Sequence, residues 1–451
     1  MVHGGSSHRA GQRNDNKHSI SNEKQGGLKQ DMNPEMIWQD RYRRVHHPTL
    51  PESCTGFNAN IDVIIPVTKE FISSELLAQV EFSEFRSRLV HSMEYCTAEE
   101  WFISDIPAYQ KISTAFSGQG NTVIGGQAGI ASVHLASIGI QNVLCLVSCA
   151  GPKTLGILTS TRVRPVSVPC RRPAVADTFH LIFEYSPGII PVAEGVVPRN
   201  NRFIVSPVHD PATVLIPDES LDEVSRTIAK CRRAFISGYQ YLQTDTQFQA
   251  AAGQIRALKS KNRHLAIHIE CVATSDNDII KGFLDHILKD ADSAGMNEHE
   301  LLQFLDFLEG NNILHDRNRQ LSPIDIVEGA VKICKKTGIR RLHVHTFGYY
   351  VLVLDPVFAF PSESQNALLF ASTTVADVAG KEYARISEAG IDALRQVSAI
   401  YREKEPGIIS VDEYTVVIIP TIISYNITRT TGLGDILSST AFVADRFSSD
   451  Y

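Results

Sequence analysis

Thr430-Thr431-Gly432-Leu433-Gly434-Asp435 follows the mostly apolar run 416–423 and leads into Ile436-Leu437-Ser438-Ser439-Thr440-Ala441-Phe442-Val443. The apolar run reads as a buried strand, and the spacing after Asp435 reads as a helix. A glycine turn therefore sits at the mouth of a helix, with a carboxylate in that helix's first turn. Gly432 and Gly434 let backbone N–H groups come close to an anion, and a helix N-terminus favours negative charge. A carboxylate beside such an anion hole suits phosphoryl transfer to a hydroxyl, which needs a base and donors for the moving group. Taken alone, the turn also reads as an ordinary helix start with Asp435 in its first turn.

The rest of the chain sets limits on this reading. Its 451 residues suffice for one large α/β domain or two domains, and 43% hydrophobic content is that of a globular protein. A formal charge of −7 gives no general attraction to nucleic acid or an anionic membrane. Apolar runs are too short for a transmembrane helix, and the N-terminus lacks the apolar core of a secretory signal. The eight cysteines are scattered without a CxxC pair, so reduced core thiols in the cytoplasm are expected. Residues 1–35 read as a disordered polar tail, with the folded body over 36–451.

From about residue 53 strand-like and helix-like segments alternate, as at 63–67, 129–139, 142–147, 235–237, 265–270 and 342–346. That alternation predicts an α/β fold: a doubly wound, mainly parallel sheet with helices on both faces. Phe179-His180-Leu181-Ile182-Phe183-Glu184-Tyr185 and Arg202-Phe203-Ile204-Val205 break the pattern, being two strands with no helix between them. They predict a smaller strand-rich lid, drawn from about 176–206 and from parts of 60–120.

Several polar groups have placements that matter. In His268-Ile269-Glu270 the period of two puts His268 and Glu270 on one face at a strand end, where open α/β sheets bind ligands. The alternative there is a strand surfacing into solvent. Asn297 and Glu300 share a face at a helix start, which suits a capping box and also a carboxylate holding a water of a magnesium ion. Gly125-Gly126-Gln127 opens a helix, while Asn58, Asn60 and Asp62 offer amides and a carboxylate to sugar hydroxyls. Arg202 beside the lid strands suits phosphate, although a lone arginine is commonly a solvated surface group. Neither a GxxxxGK[ST] loop nor a GxGxxG fingerprint after a strand is present, which removes the P-loop and dinucleotide readings.

Together GFNANID (56–62), GGQAG (125–129), FHLIFEY (179–185), NRFIVS (201–206), FISGYQ (235–240), HIE (268–270), DSAGMNEHEL (292–301), HVHTFGYY (343–350) and TTGLGD (430–435) run in order through most of the chain. This series resembles the ADP-dependent sugar kinases, the glucokinases and 6-phosphofructokinases of the ribokinase-like superfamily. The resemblance implies Asp435 as the base, the amides of Gly432, Leu433 and Gly434 as the anion hole, and Arg202 on nucleotide phosphate. It further implies Glu270, Glu300 and Asp435 around Mg2+, largely through water. His345, Thr346, Asn297 and the 420–430 stretch with Thr430 would border ADP. Asn58, Asn60, Asp62, Gly125, Gly126 and Gln127 would line the sugar site. The implied reaction moves the β-phosphoryl of ADP to fructose 6-phosphate or glucose, with the HVHTFGYY and MNEHEL blocks leaning to fructose 6-phosphate. The implied partners are the sugar or sugar phosphate and ADP, in a cytoplasmic monomer or small homo-oligomer. An ATP-dependent carbohydrate or nucleoside kinase and an inactive nucleotide-binding regulator are the alternatives. The pattern departs from the family at Ile436-Leu437, where smaller residues are expected. The segment 89–101, with Glu99-Glu100, resembles the part that helps choose the acceptor.

Overall fold

The structure, a computed structural model, describes residues 33–96, 99–169, 177–189, 196–274, 276–310, 320–380, 383–424 and 431–450. Of the tail expected over 1–35, residues 1–32 lie outside them and helix Pro34–Arg43 begins within its last residues; 425–430 of the stretch expected to border ADP, Thr430 included, also lie outside. An eleven-stranded sheet organises the larger part of the chain. Seven of its strands are parallel, in the order Arg341–His345, Ser293–Asn297, Ala266–Glu270, Arg233–Ile236, Ser53–Phe57, Val143–Ser148 and Val163–Val168. Strands such as Val-Leu-Cys-Leu-Val in 143–147 are buried throughout, as expected where helices cover both faces. Helices Gln127–Ser137, Pro361–Gly380 and Leu433–Ala444 pack together on one face. Asp245–Lys261, Glu298–Glu309, Pro323–Thr337 and Glu388–Ile400 occupy the other.

The predicted α/β architecture is therefore present, with an addition at one edge. Tyr349–Leu354, Tyr414–Pro420, Ile408–Val411 and Glu403–Glu405 extend the sheet in antiparallel fashion. The turn between Arg341–His345 and Tyr349–Leu354 requires Gly348 at φ 120°, and Thr346 closes it by donating N–H and Oγ to the Tyr349 carbonyl. A crossover helix has no room in so short a link, so the strand returns antiparallel.

A second sheet has the order Glu99–Ile103, Asn201–Pro207, Phe179–Tyr185, Asn60–Pro66 and Asn121–Gly125. Its two faces follow directly from alternation. Ile61, Val63, Ile65, Leu181, Phe183, Tyr185, Phe203 and Val205 point one way, into a separate core closed by helices Ser83–Tyr95 and Ile106–Phe116. Asn60, Asp62, His180, Glu184, Arg202 and Ser206 share the other face.

Among the described residues no helix is long and apolar enough to cross a membrane. Cys54, Cys96, Cys145, Cys231, Cys271 and Cys334 are free and buried, as expected of core thiols. Cys149 departs from that expectation and is disulfide-bonded.

Candidate active site

The parallel strands all end on one side of the sheet, and their last residues carry the polar groups. Glu270, Asn297 and His345 each close a strand, and Asn58 directly follows Phe57. Helix Leu433–Ala444 starts on the same side. Its N-cap, Gly432, has φ 75° and supplies no side-chain cap, so the first amides are left for an anion. Gly434 leaves room for a close neighbour: a Cβ there would lie 3.1 Å from His345 Nε2, a tight contact. Ile436 and Leu437, the departure from the family pattern, are buried at 1% and 3% exposure and anchor the helix start, while Asp435 remains partly open.

Around Asp435 stand two further carboxylates. Glu270 is 3% exposed, and the strand it ends is buried at every position, which removes the solvent-surfacing alternative. Its carboxyl is pushed well above the usual range by burial, then by the Asp435 charge, against a hydrogen bond from Ser438. Glu300 is raised to about 8, chiefly by burial, with Asp435 and Glu298 adding to it. The capping box is real: Asn297 Oδ1 accepts from His299 N and Glu300 N, both at 2.9 Å. In return Glu300 accepts from Asn297 N at 2.7 Å and from Ala273 N at 3.1 Å. Capping thus fixes the carboxylate that Asp435 senses. Among the described residues no three His, Cys, Asp or Glu side chains gather closely enough to ligate one ion directly.

His345 is pushed down to about 4 by burial. The Thr346 hydroxyl is committed to the Tyr349 carbonyl at 2.7 Å, so its local role is to hold the turn next to His345.

At the other end of the crevice, Asn60 Nδ2 donates to Asp62 Oδ1 at 2.8 Å. Buried Asn60 Oδ1 and Gln127 Oε1 have no hydrogen-bond partner among the described residues. Gly125 and Gly126 make this cluster possible. A Cβ on Gly125 would collide with the Asp62 carboxylate, and one on Gly126, at φ 70°, would lie 2.5 Å from Asn58 O. Asn58 O accepts from Ala128 N and Gly129 N and so ties the strand end to helix Gln127–Ser137.

Ser206, His180, His209 and Tyr241 were not singled out as site residues from sequence, and Glu100 was named there only within the acceptor-choosing segment 89–101. Ser206 donates to Glu100 at 2.7 Å, and His180 Nδ1 lies 3.8 Å from the same carboxylate. His180 and His209 meet through their Nε2 atoms at 3.0 Å, and His209 stacks on Tyr241 with centroids 4.0 Å apart. Burial raises the Glu100 carboxyl and lowers His180 to about 3 and His209 to about 4. A usable signal existed: the alternation of FHLIFEY places His180 and Glu184 on one face.

Both histidines are therefore neutral in the folded protein at physiological pH. Their folded values lie below the unfolded value of about 6.5, so the unfolded chain takes up protons first as pH falls. Their contribution to stability is complete above about pH 6.5 and is lost as pH falls towards 4. Between about pH 7 and pH 5 the denaturation midpoint of the wild type should fall relative to that of His209→Gln. Parallel midpoints would contradict this.

The sheet face that carries His180 also reaches the glycine turn at Thr431. Arg202 lies opposite Glu184 in register, and Glu184 Oε1 accepts from Thr431 Oγ1 at 3.2 Å. Arg202 Nε is buried with no hydrogen-bond partner among the described residues.

Known proteins resemble this chain over most of its length. The pattern described as the ADP-specific phosphofructokinase/glucokinase conserved region matches residues 52–444. The ADP-dependent glucose/glucosamine kinase of Pyrococcus furiosus is 25% identical, over 90% of this chain and 98% of that one. The ADP-specific phosphofructokinase of Methanosarcina acetivorans is also 25% identical, over 90% of this chain and 96% of its own. A solved ADP-dependent kinase in complex with fructose 6-phosphate and ADPβS superposes with a TM-score of 0.73 at 26% identity, covering 91% of this chain and 96% of that one. The family pattern spans both sheets and every site residue named above, so the chain belongs to the ADP-dependent phosphofructokinase/glucokinase family of sugar kinases.

Proposed function

We propose that this protein transfers the β-phosphoryl group of ADP to a hexose hydroxyl and releases AMP. The observation that carries the reading is Asp435 at an uncapped helix N-terminus, facing Glu270 and Glu300, whose carboxyls its charge helps to raise. Three mutually repelling carboxylates beside an anion hole suit a cation and a phosphate together. Their hard oxygens fit Mg2+, held largely through its own waters, since no direct three-ligand cluster exists among the described residues. When bound, the ion would neutralise charge developing on the phosphoryl oxygens.

The protein's own groups supply the remaining steps. Asp435 accepts the proton of the attacking hydroxyl, and the amides of Leu433 and Gly434 receive the phosphoryl oxygens. Arg202 approaches the phosphates from the second sheet, which acts as the lid, and the Glu184–Thr431 contact seats that lid over the turn. Closure excludes water and limits futile hydrolysis of ADP. His345 and the 420–430 stretch border the nucleotide. Work in the cytoplasm, as a monomer or small homo-oligomer, fits this reading.

For the acceptor, the lining favours a neutral hexose such as glucose. Asp62 and Glu100 are acceptors for hydroxyls, and His180 and His209 carry no charge to offset an added phosphate. Likeness to a kinase solved with fructose 6-phosphate favours the phosphorylated sugar as a second reading. Measuring AMP release with ADP and Mg2+ against glucose and fructose 6-phosphate separately decides between them. The account predicts higher kcat/KM for glucose, and a preference for fructose 6-phosphate would overturn this choice of acceptor. No AMP with either sugar would sink the kinase assignment.

A further inference from the structure

Ser438 lies three residues beyond Asp435 on the same helix and is fully buried. Its hydroxyl donates to Glu270 Oε2 at 2.6 Å. His268 Nε2 lies 3.0 Å from that same carboxylate oxygen and 3.1 Å from Ser438 Oγ. The direction of the His268 proton follows from its other side. Arg341 Nη1 can only donate, and it reaches Ser293 Oγ at 3.0 Å; Ser293 Oγ lies 2.8 Å from His268 Nδ1. Ser293 Oγ accepts from Arg341 and can give its hydroxyl hydrogen to Nδ1, while Glu270 as a carboxylate can only accept, which places the ring hydrogen of His268 on Nε2. Glu270 Oε2 then accepts from two donors, one on its own strand and one on the catalytic helix.

Two more features indicate a built arrangement. Gly295 supplies the space: a Cβ there would collide with Glu270 Oε2 and Ser438 Oγ and would lie 2.9 Å from His268 Nε2. Arg341 is held in turn by the far end of the same helix, through Asp445 at 2.9 Å and the Ala441 carbonyl at 3.2 Å. The helix that carries Asp435 is thus tied to the Glu270 strand both directly and through this buried network.

We propose that Ser438 is a positioning residue that locks Glu270 to the Asp435 helix, so that the cation-facing carboxylate and the base move as one body. The proposal rests on the reading of Glu270 as a group that serves Mg2+. Oxygen Oε2 is fixed by Ser438 and His268, which leaves Oε1 for the hydrated ion. Removing a hydrogen-bond partner of a metal-serving group typically weakens metal affinity by about 10-fold or more.

The test titrates the full chain with Mn2+ alone and reads free ion by electron paramagnetic resonance. Wild type is compared with Ser438→Ala, Ser438→Cys and Glu270→Gln, and folding is monitored by circular dichroism. Ser438→Cys keeps the volume but is a weak donor, so it separates the lost hydrogen bond from lost packing. The account predicts affinity lowered about 10-fold in both serine variants, with a matching rise in the Mg2+ needed for half-maximal activity and an unchanged KM for sugar. Wild-type affinity in either folded serine variant, while Glu270→Gln binds more weakly, overturns the role of Ser438 alone. If Glu270→Gln binds Mn2+ as wild type does, or wild type binds none, the metal reading falls and this inference with it.

Discussion

Replacing Asp435 with Asn is expected to lower kcat by about 10³-fold or more while leaving both substrates able to bind. The substitution preserves size and most of the polarity but removes the base that accepts the hydroxyl proton. Helix Leu433–Ala444 should persist, because Ile436 and Leu437 anchor its first turn in the core. Calorimetry with ADP should therefore show binding within a few-fold of wild type. One further consequence separates this role from general damage to the helix. The Asp435 charge helps to hold the Glu270 and Glu300 carboxyls high, so the variant should let both ionise at lower pH. Near-normal turnover in Asp435→Asn would remove the residue from the chemistry.

Arg202→Ala is expected to cost about 10²–10³-fold in kcat/KM for ADP and little in KM for sugar. Burying a guanidinium nitrogen without a partner costs about 1–3 kcal/mol, a cost that a bound phosphate offsets. Among the described residues no group takes that role for Arg202 Nε. Arg202→Lys should recover only part of the loss, because an ammonium cannot match the planar fork of the guanidinium. The split between the two substrates is the diagnostic readout. An equal loss for sugar and ADP would point to collapse of the second sheet instead. Glu184→Gln, which weakens the contact to Thr431, should have a smaller effect in the same direction, read as a raised KM for ADP.

Much of the α/β plan was legible because several parallel strands are short apolar runs bounded by a glycine or polar turn. Val143–Ser148 and Ala266–Glu270 show this plainly, with local pattern and buried environment in agreement. The antiparallel edge was less legible. Tyr349–Leu354 is as apolar as its parallel neighbours, and only the short turn with Gly348 reveals that the chain reverses. The groups near the glycine turn were also readable, because spacing within one element brings them together: His268 with Glu270, and Asn297 with Glu300.

His180 and His209 escaped for a different reason, as did the partners of Glu100, which was read only as part of the acceptor-choosing segment 89–101. Glu100 meets Ser206 across 106 positions of sequence, and His180 meets His209 across 29. Both contacts depend on the strand order of the second sheet, in which Glu99–Ile103 joins Asn201–Pro207 in parallel. Strand order of that kind is not written in local periodicity. Ser438 is similar: as a helical serine after Asp435 it has no distinctive local signal, and its role emerges only where the helix crosses the strand that ends in Glu270.

The most direct test of the whole account is to incubate the protein with Mg2+, glucose and ADP labelled in its β-phosphorus, with ATP in a parallel reaction. The account predicts that label passes to the sugar, that one AMP appears for each sugar phosphate formed, and that ATP is a far poorer donor. Efficient transfer from ATP with none from ADP, or binding of labelled ADP without any AMP, would contradict it.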